Sequence, residues 1–354
     1  MHQKKIEMLE FMKNFEDTPD RLLKYIEILL EGEDASPFCY QDTMSFRHIC
    51  FSVNTYCNKN CTWCYRRNPS FKKILNKQMP IEKLRKIITN TKGRFREVYI
   101  GGIGEPLLYP DYDAAVDLAR KISNKVILTT NGSLLSEERI DLLEDAGLTD
   151  IQISIDCFDE DMQRKHRGTS LTHLLKMCKY VNNSRMRLRI NSVVNNVSYP
   201  YIFNAVEMLK DCDRLHTFHI IPMYQTIENI SSVSNDKMIK LLKKLEGDVE
   251  KYALGITKKD TWTLYPSSDG ISLYPSIEMK KKRNICFTCF ESPYINTDGE
   301  LVPCARQMTW KGVDATVGFE EAWNHPDLLK FRENMLKGDY PEFCGKLCYL
   351  KEKK

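Results

Sequence analysis

The sequence predicts an α/β fold in which parallel strands are joined by crossover helices. Apolar strand-length runs alternate with amphipathic helical stretches from His48 to Pro222, the pattern of consecutive βα units. Six such units fit the spacing, and the polar and glycine-containing turns fall at the C-terminal ends of the runs. No stretch of about twenty apolar residues occurs, so no helical membrane span is expected.

Taken in order, residues 1–45 read as a helical segment. Thr18-Pro19-Asp20 is a helix start, and Leu22, Leu23, Ile26, Leu29 and Leu30 then recur at helical spacing. Residues 46–235 carry the alternation. Strands are expected near 48–54, 97–101, 125–130, 150–156, 186–194 and 216–222, and helices near 80–92, 111–123, 136–146, 169–183 and 200–211. Residues 236–354 form a second, smaller unit. It follows a loop at 223–234 and opens with a charged amphipathic helix at 235–253. Its hairpin turns at Asp298-Gly299, and a helix follows near 325–337.

The chain has 13 cysteines, and three of them stand together after the first strand: Cys57, Cys61 and Cys64. Thiolates hold iron–sulfur clusters, and a four-iron cubane with three protein ligands keeps one iron open for chemistry. A zinc site usually takes four ligands, and no histidine lies nearby in sequence to complete one. An open cluster is therefore expected here, with zinc or plain core packing as the alternatives.

The Cys-x3-Cys-x2-Cys spacing, with Trp63 before the last cysteine, resembles the signature of the radical S-adenosylmethionine (SAM) superfamily. The resemblance implies a partial (β/α)6 TIM-like barrel with its site at the C-terminal strand ends. It implies a [4Fe–4S] cluster on Cys57, Cys61 and Cys64, with SAM on the fourth iron. There SAM would be cleaved to a 5′-deoxyadenosyl radical that abstracts a substrate hydrogen atom. The cofactor does that chemistry; the protein binds, orients and excludes water. Gly101-Gly102-Ile103-Gly104-Glu105 resembles the family's SAM-binding turn. Its glycines would let backbone approach the ligand, and Glu105 would sit near the SAM ammonium. By the same resemblance, Ser154 and Arg167 would contact the SAM ribose and carboxylate. Asn191 would lie beside the adenine and Trp63 pack near it. Asn131 is either a ligand or a turn residue.

Cys286, Cys289, Cys304, Cys344 and Cys348 form a second set. Cys286-x12-Gly299-x4-Cys304 resembles the start of the SPASM/twitch extension of such enzymes, which implies an auxiliary [4Fe–4S] cluster. The expected ligands are Cys286, Cys304, Cys344 and Cys348, with Cys289 as an alternative to Cys286. Four thiolates would hold zinc equally well.

An auxiliary cluster suggests radical oxidation or epimerisation of a small polar substrate such as a sugar, cyclitol or nucleoside. The alternative is maturation of a ribosomally made peptide, by thioether or carbon–carbon crosslinking or by epimerisation. A non-catalytic iron–sulfur or zinc module would leave the glycine-rich turn unexplained. Cys157, after Asp156 at a strand end, is either a hydrogen-atom donor or a small core cysteine. Tyr224 and Gln225, after the last strand, are substrate-contact candidates by position. An external electron donor such as flavodoxin or ferredoxin is expected. The net charge of +4 is well mixed. The basic run Lys280–Arg283 is read as a solvated face rather than a nucleic-acid contact. The N-terminus lacks an apolar signal core, so a cytoplasmic protein is expected.

Overall fold

The computed structural model describes residues 48–223, 229–251, 265–267, 270–272, 288–305, 311–336, 339, 341 and 344. The helical expectation for 1–45, the Lys280–Arg283 run, Tyr224, Gln225, Cys286 and Cys348 lie outside them.

Six parallel strands form the centre: β1 (Ile49–Ser52), β2 (Val98–Gly101), β3 (Val126–Thr130), β4 (Asp150–Ser154), β5 (Arg187–Val194) and β6 (Leu215–Pro222). They pair in sequence order, each with the next. That is the expected βα succession in an α/β fold. The helices between them are α1 (Ile81–Asn90), α2 (Tyr112–Arg120), α3 (Glu137–Asp145), α4 (Glu160–Arg167), α5 (Leu171–Asn183), α6 (Tyr199–Ile202) and α7 (Ala205–Met208). Leu84, Ile87 and Ile88 of α1 and Ala115, Val116 and Ala119 of α2 lie buried against the sheet at helical spacing. Ser136 and Ser170 cap α3 and α5 by accepting from the N–H groups of Arg139 and His173.

Two expectations are corrected. The single helix expected at 200–211 is two short turns, α6 and α7. A further helix, α4, precedes α5. Its sequence EDMQRKHR has one apolar residue, so periodicity does not reveal it, although its ends are marked. Asp159 caps it by accepting from Met162 N, and Gly168 ends it at φ 70°.

Beyond β6, α8 (Asn235–Lys251) follows, then a two-stranded pair of β7 (Tyr265–Ser267) and β8 (Gly270–Ser272). After the short helix α9 (Thr288–Glu291), the expected hairpin is β9 (Tyr294–Ile295) and β10 (Glu300–Val302), with Gly299 at φ 79° in its turn. This hairpin continues the central sheet. β9 pairs parallel with β1, and β11 (Val313–Asp314) pairs with β10. The sheet therefore runs through nine strands among the described residues. Helices α10 (Phe319–Trp323) and α11 (Pro326–Leu336) close this end. Glu320 accepts from Gly93 N at 2.8 Å, Phe95 meets Phe319 edge-on, and the Arg332 guanidinium lies 4.1 Å from the Trp323 ring centre.

Along the inward face the registers stack polar residues. Asp150, Gln152 and Ser154 of β4 face Arg187, Arg189 and Asn191 of β5. At the N-terminal end, Arg189 donates to Asp150 at 2.7 Å and to Glu97 at 3.0 Å, and Arg187 donates to Asp150 at 2.7 Å. Asp150 has no exposed surface, yet its carboxyl is held below the usual range: the two arginines outweigh a burial penalty that acts the other way. Among the described residues, no helix is long and apolar enough to cross a membrane.

Removing one partner of a buried pair strands the other. Arg189→Ala is expected to lower unfolding free energy by about 3–5 kcal/mol in urea titration, while a helix-surface change such as Lys121→Ala stays within about 0.5 kcal/mol.

Candidate functional site

The loop after β1 makes no ladder of its own, so its hydrogen bonds go to the strand ends around it. Val53 N donates to Gly101 O at 3.2 Å, Thr55 N to Lys77 O at 2.8 Å, and Glu105 N to Tyr56 O at 2.6 Å. Farther along, Asn58 bonds Ser133 Oγ, Lys59 Nζ donates to Gly168 O at 2.7 Å, and Thr62 N donates to His166 O at 3.0 Å. The loop thus lies across the C-terminal ends of β1 to β4 with Cys57, Cys61 and Cys64 on it.

The thiols of Cys57 and Cys64 are half-buried and that of Cys61 is buried. Burial pushes the Cys61 and Cys64 thiols up, and the nearby Arg167 guanidinium pulls both down. The Cys61 thiol also feels the charge of both other cysteines. Among the described residues, no three His, Cys, Asp or Glu side chains converge on a single metal ion. Three neighbouring thiols with a cation beside them are a donor set that fits an iron–sulfur cluster.

Two glycines of the glycine-rich turn are required by the protein's own packing. A Cβ on Gly104 would fall 2.4 Å from Tyr56 O and 2.8 Å from Asn54 O. One on Gly102, at φ 124°, would fall 2.2 Å from Ser52 Oγ. These glycines let the turn lie against the cysteine loop itself. A Cβ on Gly101 would make only ordinary contact, 3.8 Å from Pro106. Glu105 is also turned inward, 1% exposed. It accepts from Thr130 Oγ1 at 2.6 Å, Asn131 N at 2.8 Å and Leu107 N at 3.3 Å. Its carboxylate therefore fastens the β2 turn to the β3 turn, and burial pushes its pKa up against those three bonds.

Asn131 makes the turn that was one of its two readings. Its Oδ1 accepts from Ser133 N at 2.9 Å in a turn, and its Nδ2 donates to Asn58 at 3.0 Å and lies 4.0 Å from Cys57 Sγ. Ser154 and Asn191 are register partners at the mouth, and the buried Asn191 Oδ1 has no hydrogen-bond partner among the described residues. Arg167, 14% exposed in its side chain, pairs with Asp156 at 3.1 Å. Trp63 donates from Nε1 to the same Asp156 oxygen at 2.8 Å and stacks on His166 at 5.1 Å.

Cys157 has the surroundings of the small packed cysteine, the second of its two readings. Its side chain has no exposed surface and packs with Trp63, Met223 and Ile230. Burial, with Asp156 adding to it, pushes its thiol up to about 12. This is the setting of a packed cysteine, in a small apolar cluster just beyond the end of β4. In the second set, Cys289 and Cys344 are buried in the main core and Cys304 is half-buried after β10. The sequence reading passed over Asp156, His166, Asn54 and Asn58 as site-forming residues. For Asp156 the signal was its place two residues beyond Ser154 on the inward face.

Residues 51–211 match the family model described as the Radical SAM superfamily. Over this segment the chain is similar to radical SAM superfamily proteins. An uncharacterised protein of Methanocaldococcus jannaschii is 30% identical over 47% of this chain, and the match spans only 41% of that relative. A GTP 3′,8-cyclase of Chlorobaculum tepidum is 22% identical over 80% of this chain and 85% of its own length. Streptococcus suis SuiB, crystallised with S-adenosylmethionine, superposes with a TM-score of 0.63 at 18% identity, over 80% of this chain and 67% of SuiB. The fold is thus that of radical SAM partial barrels.

Gly104→Ala, whose Cβ meets backbone oxygens rather than a flexible side chain, is expected to cost about 1–3 kcal/mol. It should also speed proteolysis of the 53–68 loop in metal-free protein. Glu105 gives a pH test. Because its folded pKa is raised, its contribution to stability is full below the ordinary value of 4.5 and lost as pH rises through the folded value. The stability difference between wild type and Glu105→Gln, from urea midpoints, should therefore change in favour of the variant as pH rises from 4.5.

Proposed function

We propose that this chain is a radical SAM enzyme. The observation that carries the reading is the three-cysteine loop braced over the strand ends of a radical SAM domain with Arg167 beside its thiols. Cys57, Cys61 and Cys64 would hold a [4Fe–4S] cluster and SAM its fourth iron. When bound, these supply reductive SAM cleavage and hydrogen-atom abstraction. The chain's own residues orient and shield. Arg167 and Ser154 present polar groups where SAM's carboxylate and ribose would lie, Asn191 stands where the adenine would lie, and Trp63 closes the apolar side.

The inward face below the mouth favours a small polar substrate. Thr129 Oγ1 donates to Gln152 at 3.1 Å, and Gln152 Nε2 lies 3.4 Å from His219 Nδ1. Such a lining would meet hydroxyl or amide groups of a sugar, cyclitol or nucleoside. The likeness to a GTP 3′,8-cyclase supports the same class. With Cys157 sealed in the core, oxidation is favoured over epimerisation through that thiol. An auxiliary cluster on Cys304, Cys344, Cys348 and either Cys286 or Cys289 would suit an oxidation, and a flavodoxin or ferredoxin would supply the initiating electron. SuiB has also been crystallised with its precursor peptide SuiA, but at 17% identity that likeness carries the fold and not the substrate.

Anaerobically purified wild type is expected to hold about eight irons and the Cys57/Cys61/Cys64→Ala variant about four, with 5′-deoxyadenosine formation abolished. SAM cleavage retained by the variant would refute the assignment.

A further inference from the structure

Asp156 stands one residue beyond Ile155 at the end of β4, and its carboxylate joins three elements. Oδ2 accepts from Trp63 Nε1 of the cysteine loop at 2.8 Å and pairs with Arg167 of α4 at 3.1 Å. Oδ1 accepts from Val193 N of β5 at 2.8 Å. The side chain is 1% exposed. Its own backbone is held too: Gln163 Oε1 accepts from Asp156 N at 3.3 Å and Cys157 N at 3.0 Å.

Each partner matters to the cysteine loop. Trp63 lies between Cys61 and Cys64, so fixing the indole fixes the turn that spaces those two thiols. His166 stacks on the same indole and its Nδ1 lies 3.1 Å from Thr62 Oγ1, so α4 grips both residues of the turn between Cys61 and Cys64. Arg167 faces Asp156 and the thiols at once. A buried carboxylate is costly unless paired, and here the cation that pairs it is also the cation beside the thiols.

We propose that Asp156 is a positioning residue of the cluster site. It locks Trp63, and with it the Cys61–Cys64 turn, to the β4–β5 rim. It also holds Arg167 beside the thiols while cancelling part of that guanidinium's charge. This rests on the reading that Cys57, Cys61 and Cys64 hold a cluster.

The two functions separate by substitution. Asp156→Asn keeps a hydrogen-bond acceptor but removes the negative charge. Arg167 then acts uncompensated, which stabilises the more negative, reduced cluster and shifts its reduction potential upward. Trp63→Phe removes the indole N–H and leaves the charges. Groups that orient ligands in this way typically contribute about 10–100-fold to metal retention. The experiment is an anaerobic redox titration followed by electron paramagnetic resonance, with iron release to a chelator as a second readout. The Cys57/Cys61/Cys64→Ala chain is the blank that isolates the three-cysteine cluster. Expected are an upward potential shift in Asp156→Asn with wild-type iron content, and faster iron release, by about 10–100-fold, in Trp63→Phe with little change in potential. An unchanged or lowered potential in Asp156→Asn, or wild-type iron release in Trp63→Phe, would overturn the latch while the cluster reading stands. No iron difference between wild type and the triple-alanine blank would sink the cluster reading itself. Both variants retain the side-chain volume of the original nearly enough to fold, and far-ultraviolet circular dichroism of the apo chains confirms this before titration.

Discussion

Glu105 is the carboxylate through which the cysteine loop, the glycine-rich turn and the β3 turn hold one another. Its backbone N–H and carbonyl bond Tyr56 and Asn54 of the loop, while its side chain takes Thr130 and Asn131 of the β3 turn. An irregular loop cannot satisfy its own backbone groups, so it adopts whatever shape its neighbours' donors and acceptors dictate. Gly104 makes that approach sterically possible, and the buried carboxylate makes it specific, since a misplaced turn would leave Glu105 without donors in a dry site.

A second layer of control is electrostatic. Buried thiols resist ionisation, and metal ligation needs thiolates. Arg167 offsets that resistance from one side of the loop. It stays there because Asp156, itself buried, has the guanidinium as its ion-pair partner. The same end of β4 thus supplies both the wall of the mouth and the charge balance around the cysteines.

Deeper in the sheet the polar residues divide the inward face. Arg189, Arg187, Asp150 and Glu97 neutralise one another at the N-terminal end and seal it. Above them Thr129, Gln152, His219 and Asn191 are uncharged or titratable donors and acceptors, and the Asn191 oxygen has no hydrogen-bond partner among the described residues. An ionic floor thus lies beneath a polar lining that runs toward the C-terminal mouth, where the cysteine loop lies.

Much of this was legible in the chain before any coordinates. Strand and helix alternation set the α/β class and the order of the six parallel strands, because apolar periodicity reports directly which face of each element is buried. The Cys57, Cys61 and Cys64 spacing marked the site for the same local reason: three thiols in one short loop lie near one another in any fold. Helix α4 escaped because its EDMQRKHR face offers no apolar stripe, only a cap and a terminal glycine. What each site residue touches could not be read from spacing, since it depends on partners far away in sequence. Gly104 lies against the cysteine loop, Glu105 bonds the β3 turn, and Cys157 packs with Trp63. Trp63 and Arg167 met on Asp156, 93 residues from the indole. Local pattern determined the elements and the three-cysteine loop; side-chain direction and long-range hydrogen bonding, which exist only once the strands are in register, decided how that loop is held.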